Sequence, residues 1–445
     1  MSVQRFVRRS RVEAGASELF AWHGRPGAFE RLTPPWEPVE VVHRMGTIRD
    51  GDRTVLAMRA GPFRIRWVAE HRDFQEGCRF RDVQILGPFR HWEHTHEMIP
   101  DGPQASFLED RIEYELPLSP ISDWAAGAIV RRKLDRMFTY RHEVTQGDLS
   151  VHARLGRRRS MNVLVTGSSG LIGSSLCPFL TTGGHQVTRL ARGSTEIPSG
   201  IDAVVHLAGE SISGRWTREK KARILESRRE GTRRLCEAFG RLDPPPSVLV
   251  CASAVGFYGN RGDEILTEDS PGGAGFLPDV CSAWESACDP ARERGIRVVH
   301  LRTGIVLSGS GGALAKMLPP FRLGLGGPLG TGSQFMSWIA IDDLVGIIVF
   351  ALVNESLAGP VNAVAPQAAT NAAFTRTLGR VLGRPAFLPI PPFALRLAFG
   401  EGADEMLLAG QRVVPKRLRA AGYEWRYPEL DQALRHVLGV TRPSQ

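Results

Sequence analysis

The spacing of apolar positions changes character once along the chain. In the first third, short runs at 38–45, 54–59, 63–74 and 105–116 alternate apolar with polar residues and are separated by Gly, Pro and Asp, a pattern that predicts antiparallel strands joined by turns. Residues 129–144 lack Gly and Pro and place Val130, Leu134, Met137 and Phe138 at helical spacing, so one long helix is expected there. A helix laid across a curved antiparallel sheet predicts an enclosed cavity. Beyond Met161 the apolar runs 162–166, 186–190, 203–207, 248–252 and 297–301 alternate with helical segments, which predicts a parallel, doubly wound sheet. From about Gly304 the pattern loosens into Gly-rich loops and then helices, as in a small C-terminal substrate lobe.

Composition sharpens the boundaries without suggesting a specialised class. At 445 residues, more than one core is expected. The expected division is a first domain at 1–150, a linker at 151–160 ending in Arg157, Arg158 and Arg159, a nucleotide-type domain at 161–387, and a small helical domain at 388–445. Met161 and the residues after it resemble the opening of a free-standing chain, so the first domain is expected to be a fused module. The best candidate for a membrane span, 344–353 with Asp342 and Asp343 at its entrance, is too short to cross a bilayer and predicts a buried helix. The N-terminus has Arg5, Arg8, Arg9 and Arg11 where a secretory signal needs an apolar core, so a cytoplasmic location is expected. Six scattered cysteines predict reduced thiols. The net charge of +9 is spread, with 26 basic against 22 acidic residues in 1–160, so no nucleic-acid partner is expected. The oligomeric state is left open.

Candidate chemistry concentrates after residue 160. Thr166, Gly167, Ser168, Ser169, Gly170, Leu171, Ile172 and Gly173 follow an apolar run and lead into a helical one. There, Gly167 suits a tight turn, Gly170 a close approach of backbone to a pyrophosphate, and Gly173 tight helix packing, with the helix N-terminus facing the negative charge. This is a Rossmann dinucleotide site. At the end of the second strand, Arg189 and Arg192 stand where an NAD enzyme places an acid on the ribose, which favours NADP(H) over NAD(H). In the first domain, His94 and His96 share one face of a predicted strand, either as ligand contacts or as part of an exposed polar face. No third ligand stands at suitable spacing, and no metal is expected.

With Leu207, Ala208 and Gly209, Ser253 to Gly259, Arg302 and the run Ser337 to Asp343, residues 161–440 resemble extended short-chain dehydrogenases. They resemble more narrowly the atypical branch of epimerase family proteins of the YfcH or SulA-like cell-division-inhibitor type. The opening strand with the helical phrase Ala16 to Trp22, and the closing helix, make 3–145 similar to the START or polyketide-cyclase-like helix-grip superfamily. The resemblance implies a cofactor site at 166–173, Arg192, 207–209, Ser253 and Arg302. It also implies a catalytic Tyr and, four residues on, a Lys, but Leu277 and Cys281 stand at those positions, Arg228 replaces a supporting Asn, and Ser253 is retained. The candidates to replace the missing acid are Tyr258, as a proton donor if a cation such as Arg228 or Arg302 stands nearby, and Cys281, a thiol whose pKa would be lowered beside Arg residues. The alternatives are a loop anchor for Tyr258 and simple packing for Cys281. Glu210 and Arg215 are candidate substrate contacts or surface salt bridges. Two functions compete: an NADP(H)-dependent oxidoreductase or epimerase for a small molecule, with an apolar ligand in the first module, or a non-catalytic NADP(H)-responsive binding protein.

Overall fold

The computed structural model describes residues 3–37, 39–60, 63–117, 121–154, 160–194 and 196–440. The chain divides into two compact units that part at about residue 158. Pro38 of the first predicted strand and the Arg157–Arg159 run of the predicted linker lie outside the described residues.

The first unit runs β1 (Gln4–Val12), α1 (Ala16–Gly24), α2 (Ala28–Leu32), β2 (Val39–Met45), β3 (Arg53–Ala60), β4 (Phe63–Gln75), β5 (Arg79–Leu86), β6 (His91–Pro100), β7 (Ser106–Glu115) and α3 (Ile121–Arg154). Its seven strands form one antiparallel sheet in the order β1-β7-β6-β5-β4-β3-β2. Alternation sets the inner face: on β6, Trp92, His94, His96 and Met98 are buried while their neighbours are half-buried. The helix α3 is longer than its sequence predicts, because Gly127 and Gly147 read as breakers yet lie inside it. Packing along the sheet overrides a cost of about 1 kcal/mol for each glycine. One apolar cluster joins Leu134 and Phe138 of α3 to Phe6, Trp92, Ile112 and Tyr114, and a second gathers Leu19, Phe20 and Trp22 of α1 with Phe80, Met98 and Leu149. Where they meet, the buried groups are polar. His94 lies edge-on to Phe138 and His96 stacks on Phe80, and Asp110, His142 and His71 are buried around them. The floor expected to line an apolar cavity is therefore charged at its middle. A buried bidentate pair, Arg31 Nε and Nη2 to Asp148 at 2.7 and 2.8 Å, fastens α2 to α3.

The second unit contains β8 (Asn162–Thr166), α4 (Leu171–Thr182), β9 (Gln186–Leu190), β10 (Ala203–His206), α5 (Arg218–Ala238), β11 (Val248–Ala254), β12 (Ile265–Leu266), α6 (Phe276–Ser286), α7 (Asp289–Glu293), β13 (Arg297–Thr303), β14 (Ile305–Leu307), α8 (Gly312–Arg322), β15 (Phe335–Met336), β16 (Trp338–Ala340), α9 (Ile341–Val353), β17 (Gly359–Ala363), β18 (Ala369–Thr370), α10 (Asn371–Leu382), α11 (Pro392–Phe399), α12 (Gly402–Met406), β19 (Arg412–Val413), α13 (Lys416–Ala420) and α14 (Leu430–Leu438). Its main sheet is parallel throughout, in the order β9-β8-β10-β11-β13-β17. The central strands are apolar on both faces, as a sheet covered on both sides requires. The chain moves outward from β8 to β9 and returns to β10 on the other side, so the strand order switches at the carboxyl ends of β8 and β10, where such sheets bind ligands. The segment after residue 388 packs into this unit: β19 pairs with β12, and His436 of α14 sits 3.0 Å from Asp342 of α9. Asp343 accepts hydrogen bonds from the backbone of Arg426 and Tyr427. Among the described residues, no helix is long and apolar enough to cross a membrane.

Phe138 is fully buried between α3 and the sheet. Replacing it with Ala is expected to destabilise the first unit by about 3–5 kcal/mol. Denaturation followed by tryptophan fluorescence checks this, since Trp22, Trp67 and Trp92 report on that core.

Candidate functional site

The turn after β8 is built around close backbone approach. Gly167 has a φ of 67°, and a Cβ on it would lie 2.8 Å from the carbonyl carbon of Leu207. Only glycine fits both conditions. A Cβ on Gly173 would lie 2.3 Å from the Gly167 carbonyl oxygen, so the first turn of α4 packs directly on the loop. Gly170, by contrast, is exposed beside Ser169, with only the Gly167 oxygen at 3.3 Å from its would-be Cβ. Its outward face is open at the N-terminus of α4. Thr166 fastens the turn to β10: its hydroxyl lies 2.7 Å from His206 Nδ1 and accepts from the backbone N–H of Leu207 and Ala208 at 3.2 Å. His206 also contacts Thr232 at 2.9 Å, and burial pushes its pKa down to about 4, so the imidazole is neutral. Leu171 packs against Gly311 and Gly312 at the start of α8, and Ile172 against the core around α8 and α10. The residues from Thr166 to Gly173, with Leu207, Ala208 and Gly209, thus form one rim at the switch point.

Arg192 is exposed beyond the end of β9. Glu210, from the end of β10, lies within its electrostatic reach, but that carboxylate is already taken by Lys220 Nζ at 2.7 Å. The Lys220 hydrogen bond and charge hold its pKa below the usual range, with Arg223 and Arg192 adding to the effect. Three cations around one acid leave this corner positive. Lys220 and Arg223 were not singled out from the sequence, although the basic phrase opening α5 carried the signal. Arg189, the other arginine at the end of β9, interacts with Cys177. Glu210 is therefore a salt-bridge partner, and Arg215 donates to the carbonyl of Leu397.

Two of the candidate catalytic residues, Ser253 and Tyr258, meet in one hydrogen-bonded network. Ser253 donates to Glu285 Oε1 at 2.8 Å, and Glu285 takes Arg302 Nε and Nη2 at 2.9 Å each. Arg302 Nη1 reaches the Tyr258 hydroxyl at 3.1 Å, that hydroxyl donates to Asn362 Oδ1 at 2.7 Å, and Asn362 N–H donates to Glu268 at 3.0 Å. The Arg302 guanidinium also lies 3.5 Å from the centroid of Phe257. All three side-chain nitrogens of Arg302 are engaged within this network, and the side chain is buried. Burial raises the Tyr258 pKa despite Arg302 and Asn362. The phenol is held in its loop by Asn362 and Arg302 and keeps its proton.

Cys281 follows the same logic. Burial, with the charge of Glu285, pushes its thiol up to about 11, outweighing the Ala254 carbonyl contact and Arg228. Arg228 is near, but its Nη1 donates to the carbonyls of Glu210 and Ile224 at 2.9 and 3.2 Å, and its guanidinium lies over Trp284. It supports the loop from within. Glu285, Asn362 and Glu268 were missed from the sequence: a single acid on a helix, as Glu285 is on α6, reads as a surface residue, and Asn362 and Glu268 meet their partners only in the fold. In the first unit, His94 and His96 are buried, not part of an exposed polar face.

Two family models match the chain: the NAD dependent epimerase/dehydratase family over residues 163–363, and a domain of unknown function, DUF1731, over 390–437. The epimerase family protein Mb2239 of Mycobacterium bovis is 42% identical over 299 residues, covering 63% of this chain and 98% of that protein. A crystal structure of a nucleoside-diphosphate sugar epimerase from Corynebacterium glutamicum is 34% identical, with a TM-score of 0.79, and covers 98% of this chain and 90% of its own. The human epimerase family protein SDR39U1, crystallised with NADPH, is 40% identical, with a TM-score of 0.59, over 62% of this chain and 99% of its own.

A thiol with a pKa of about 11 is neutral through pH 9, and at pH 8 only about one molecule in a thousand is thiolate. Iodoacetamide at pH 8 is therefore expected to alkylate Cys78, which is half-buried, and to spare Cys281, as read by peptide mass mapping of the native protein.

Proposed function

The chain belongs to the NAD dependent epimerase/dehydratase family, and from that premise we propose that it binds NADP(H) and acts as an atypical short-chain dehydrogenase, an oxidoreductase or epimerase-like enzyme, on a small molecule. The observation that carries this is the rim at the switch point. Gly167 and Gly173 let the turn pack directly against the end of β10 and the first turn of α4, Ser169 and Gly170 leave the α4 N-terminus open to an anion, and Arg192 stands with Lys220 and Arg223 in a positive corner. The NADPH in the human relative supports the same cofactor here. When bound, the nicotinamide supplies the hydride chemistry. The chain's own residues then have limited tasks: backbone N–H groups of the 167–171 turn hold the pyrophosphate, and Arg192 pairs with a 2′-phosphate. Leu277 and Cys281 provide a neutral wall where a dehydrogenase would place its Tyr and Lys.

The second function, an NADP(H)-responsive binding protein without turnover, is favoured by that missing pair, because Tyr258 and Cys281 are both buried and hold their protons. The first unit we read as a helix-grip ligand-binding module, on the strength of α3 lying against a seven-stranded antiparallel sheet. Its polar midline calls for a ligand with a polar head.

Calorimetry on the full chain is expected to give NADPH an affinity at least about tenfold above NADH, and Arg192→Glu to abolish that preference. Equal affinities in the native chain would defeat the assignment. With NADPH and a panel of aldehydes, ketones and quinones, loss of the nicotinamide absorbance supports an enzyme, and tight binding with no loss supports the binding protein.

A further inference from the structure

The first unit buries a set of titratable groups that the nucleotide cleft does not use. We propose that Asp82, His94 and His96 hold a divalent first-row transition ion of the zinc or iron(II) kind. Asp82 Oδ2 lies 3.2 Å from His96 Nε2 and 3.6 Å from His94 Nδ1, and one donor atom from each of the three residues falls within 4.8 Å of the others. A tetrahedral ion with bonds of about 2.0–2.1 Å sets its ligand atoms about 3.3 Å apart, so small side-chain rotations complete the set. The sheet fixes the arrangement: Asp82 on β5 is the direct ladder partner of His94 on β6, and His96, two residues on, projects from the same face.

The groups behind these three residues are those that ligand side chains use for orientation. His94 Nε2 lies 2.8 Å from Asp110 Oδ1, and His142 Nε2 lies 2.7 Å from Asp110 Oδ2. His96 Nδ1 is 2.7 Å from Asp110 Oδ1 but out of line for a hydrogen bond. Asp82 Oδ1 is met by His71 Nε2 at 2.9 Å, and the other nitrogen of that ring lies 3.2 Å from the carbonyl of Asp52. A carboxylate behind a ligating imidazole fixes its tautomer and raises its basicity. The competing account is a self-contained network of ion pairs. Buried ion pairs seldom add net stability over apolar packing, so that account gives no reason for so many charged groups between Phe80 and Phe138. The Asp82 side chain is 24% exposed, whereas those of His94 and His96 are 4% and 8% exposed. One side is open, which gives an ion its entry and leaves a position for an outside ligand. Two histidines and one carboxylate with open positions are the donor set of zinc and non-haem iron sites.

The test is titration of the full chain, stripped with chelator, by Co²⁺ and then Zn²⁺. One Co²⁺ per chain with a visible absorption band, displaced by Zn²⁺, is the expected result. Asp82→Asn and His94→Gln should each weaken binding by more than about 100-fold, and Asp110→Asn by about 10–100-fold, while His43→Gln, at an exposed site outside the cluster, leaves it unchanged. Near-UV circular dichroism verifies that each variant is folded; if a variant is not, the metal content of the native chain decides. Absence of stoichiometric binding overturns the proposal, as does wild-type affinity in folded Asp82→Asn. A thiolate charge-transfer band also overturns it, because the ion would then sit at Cys251, Cys288 and His300 of the second unit, whose donor atoms also lie within 4.8 Å of one another.

Discussion

The second unit depends on how closely one turn can approach the next strand's backbone. The α-carbon of Gly167 lies so near Leu207 and Ala208 that no side chain fits between them, and its positive φ turns the chain into α4. Thr166 then satisfies the N–H groups of Leu207 and Ala208, which would otherwise be left without partners at the strand end. His206 bonds on one side to Thr166 and on the other to Thr232 of α5, tying the turn to the helix behind it. A neutral imidazole suits this role, since a charged one would be stranded in the core. The result is a helix N-terminus, with its partial positive charge, held at a fixed height above the switch point of the sheet.

A second constraint fixes the far side of the cleft. Arg302 on β13 cannot be buried without an acid, and Glu285 supplies it from α6 while also accepting from Ser253 on β11. One carboxylate thus joins two strands and a helix. Tyr258 extends the chain of bonds to Asn362 and, through Glu268, to the backbone of Arg417 in α13. Because the network consumes the polar groups of this wall, α6 presents no free acid or base at the positions of Leu277 and Cys281.

Features set by local geometry were legible in the sequence. The glycine spacing of Gly167, Gly170 and Gly173, the central strands, and the alternation on β6 follow from the chain's own periodicity. What failed depended on distant partners. The strand β17 begins with Gly359 and Pro360 and was not anticipated, because its ladder with β13 and its bonds to Glu268 and Arg417 come from distant parts of the chain. Gly127 and Gly147 read as helix breakers, since the sheet against which α3 packs is not visible from within the helix. The Cys281 thiol was expected to be lowered by nearby arginines, but burial is a property of the folded wall and it raises both Cys281 and Tyr258. Asp82 was invisible as a partner of His94 for the same reason: they meet only through strand pairing.

The two units treat charge in opposite ways. The second presents backbone dipoles and exposed cations to its cleft and pairs its buried charges with one another; the first gathers carboxylates and imidazoles beneath a helix that could have covered apolar residues alone. A polar interior of that kind costs stability unless its groups are satisfied, and here Asp82 and Asp110 each take imidazole partners. Relatives that are matched almost end to end by less than two thirds of this chain form complete proteins without the remainder. The fold of the second unit therefore occurs in these relatives without a counterpart of the first.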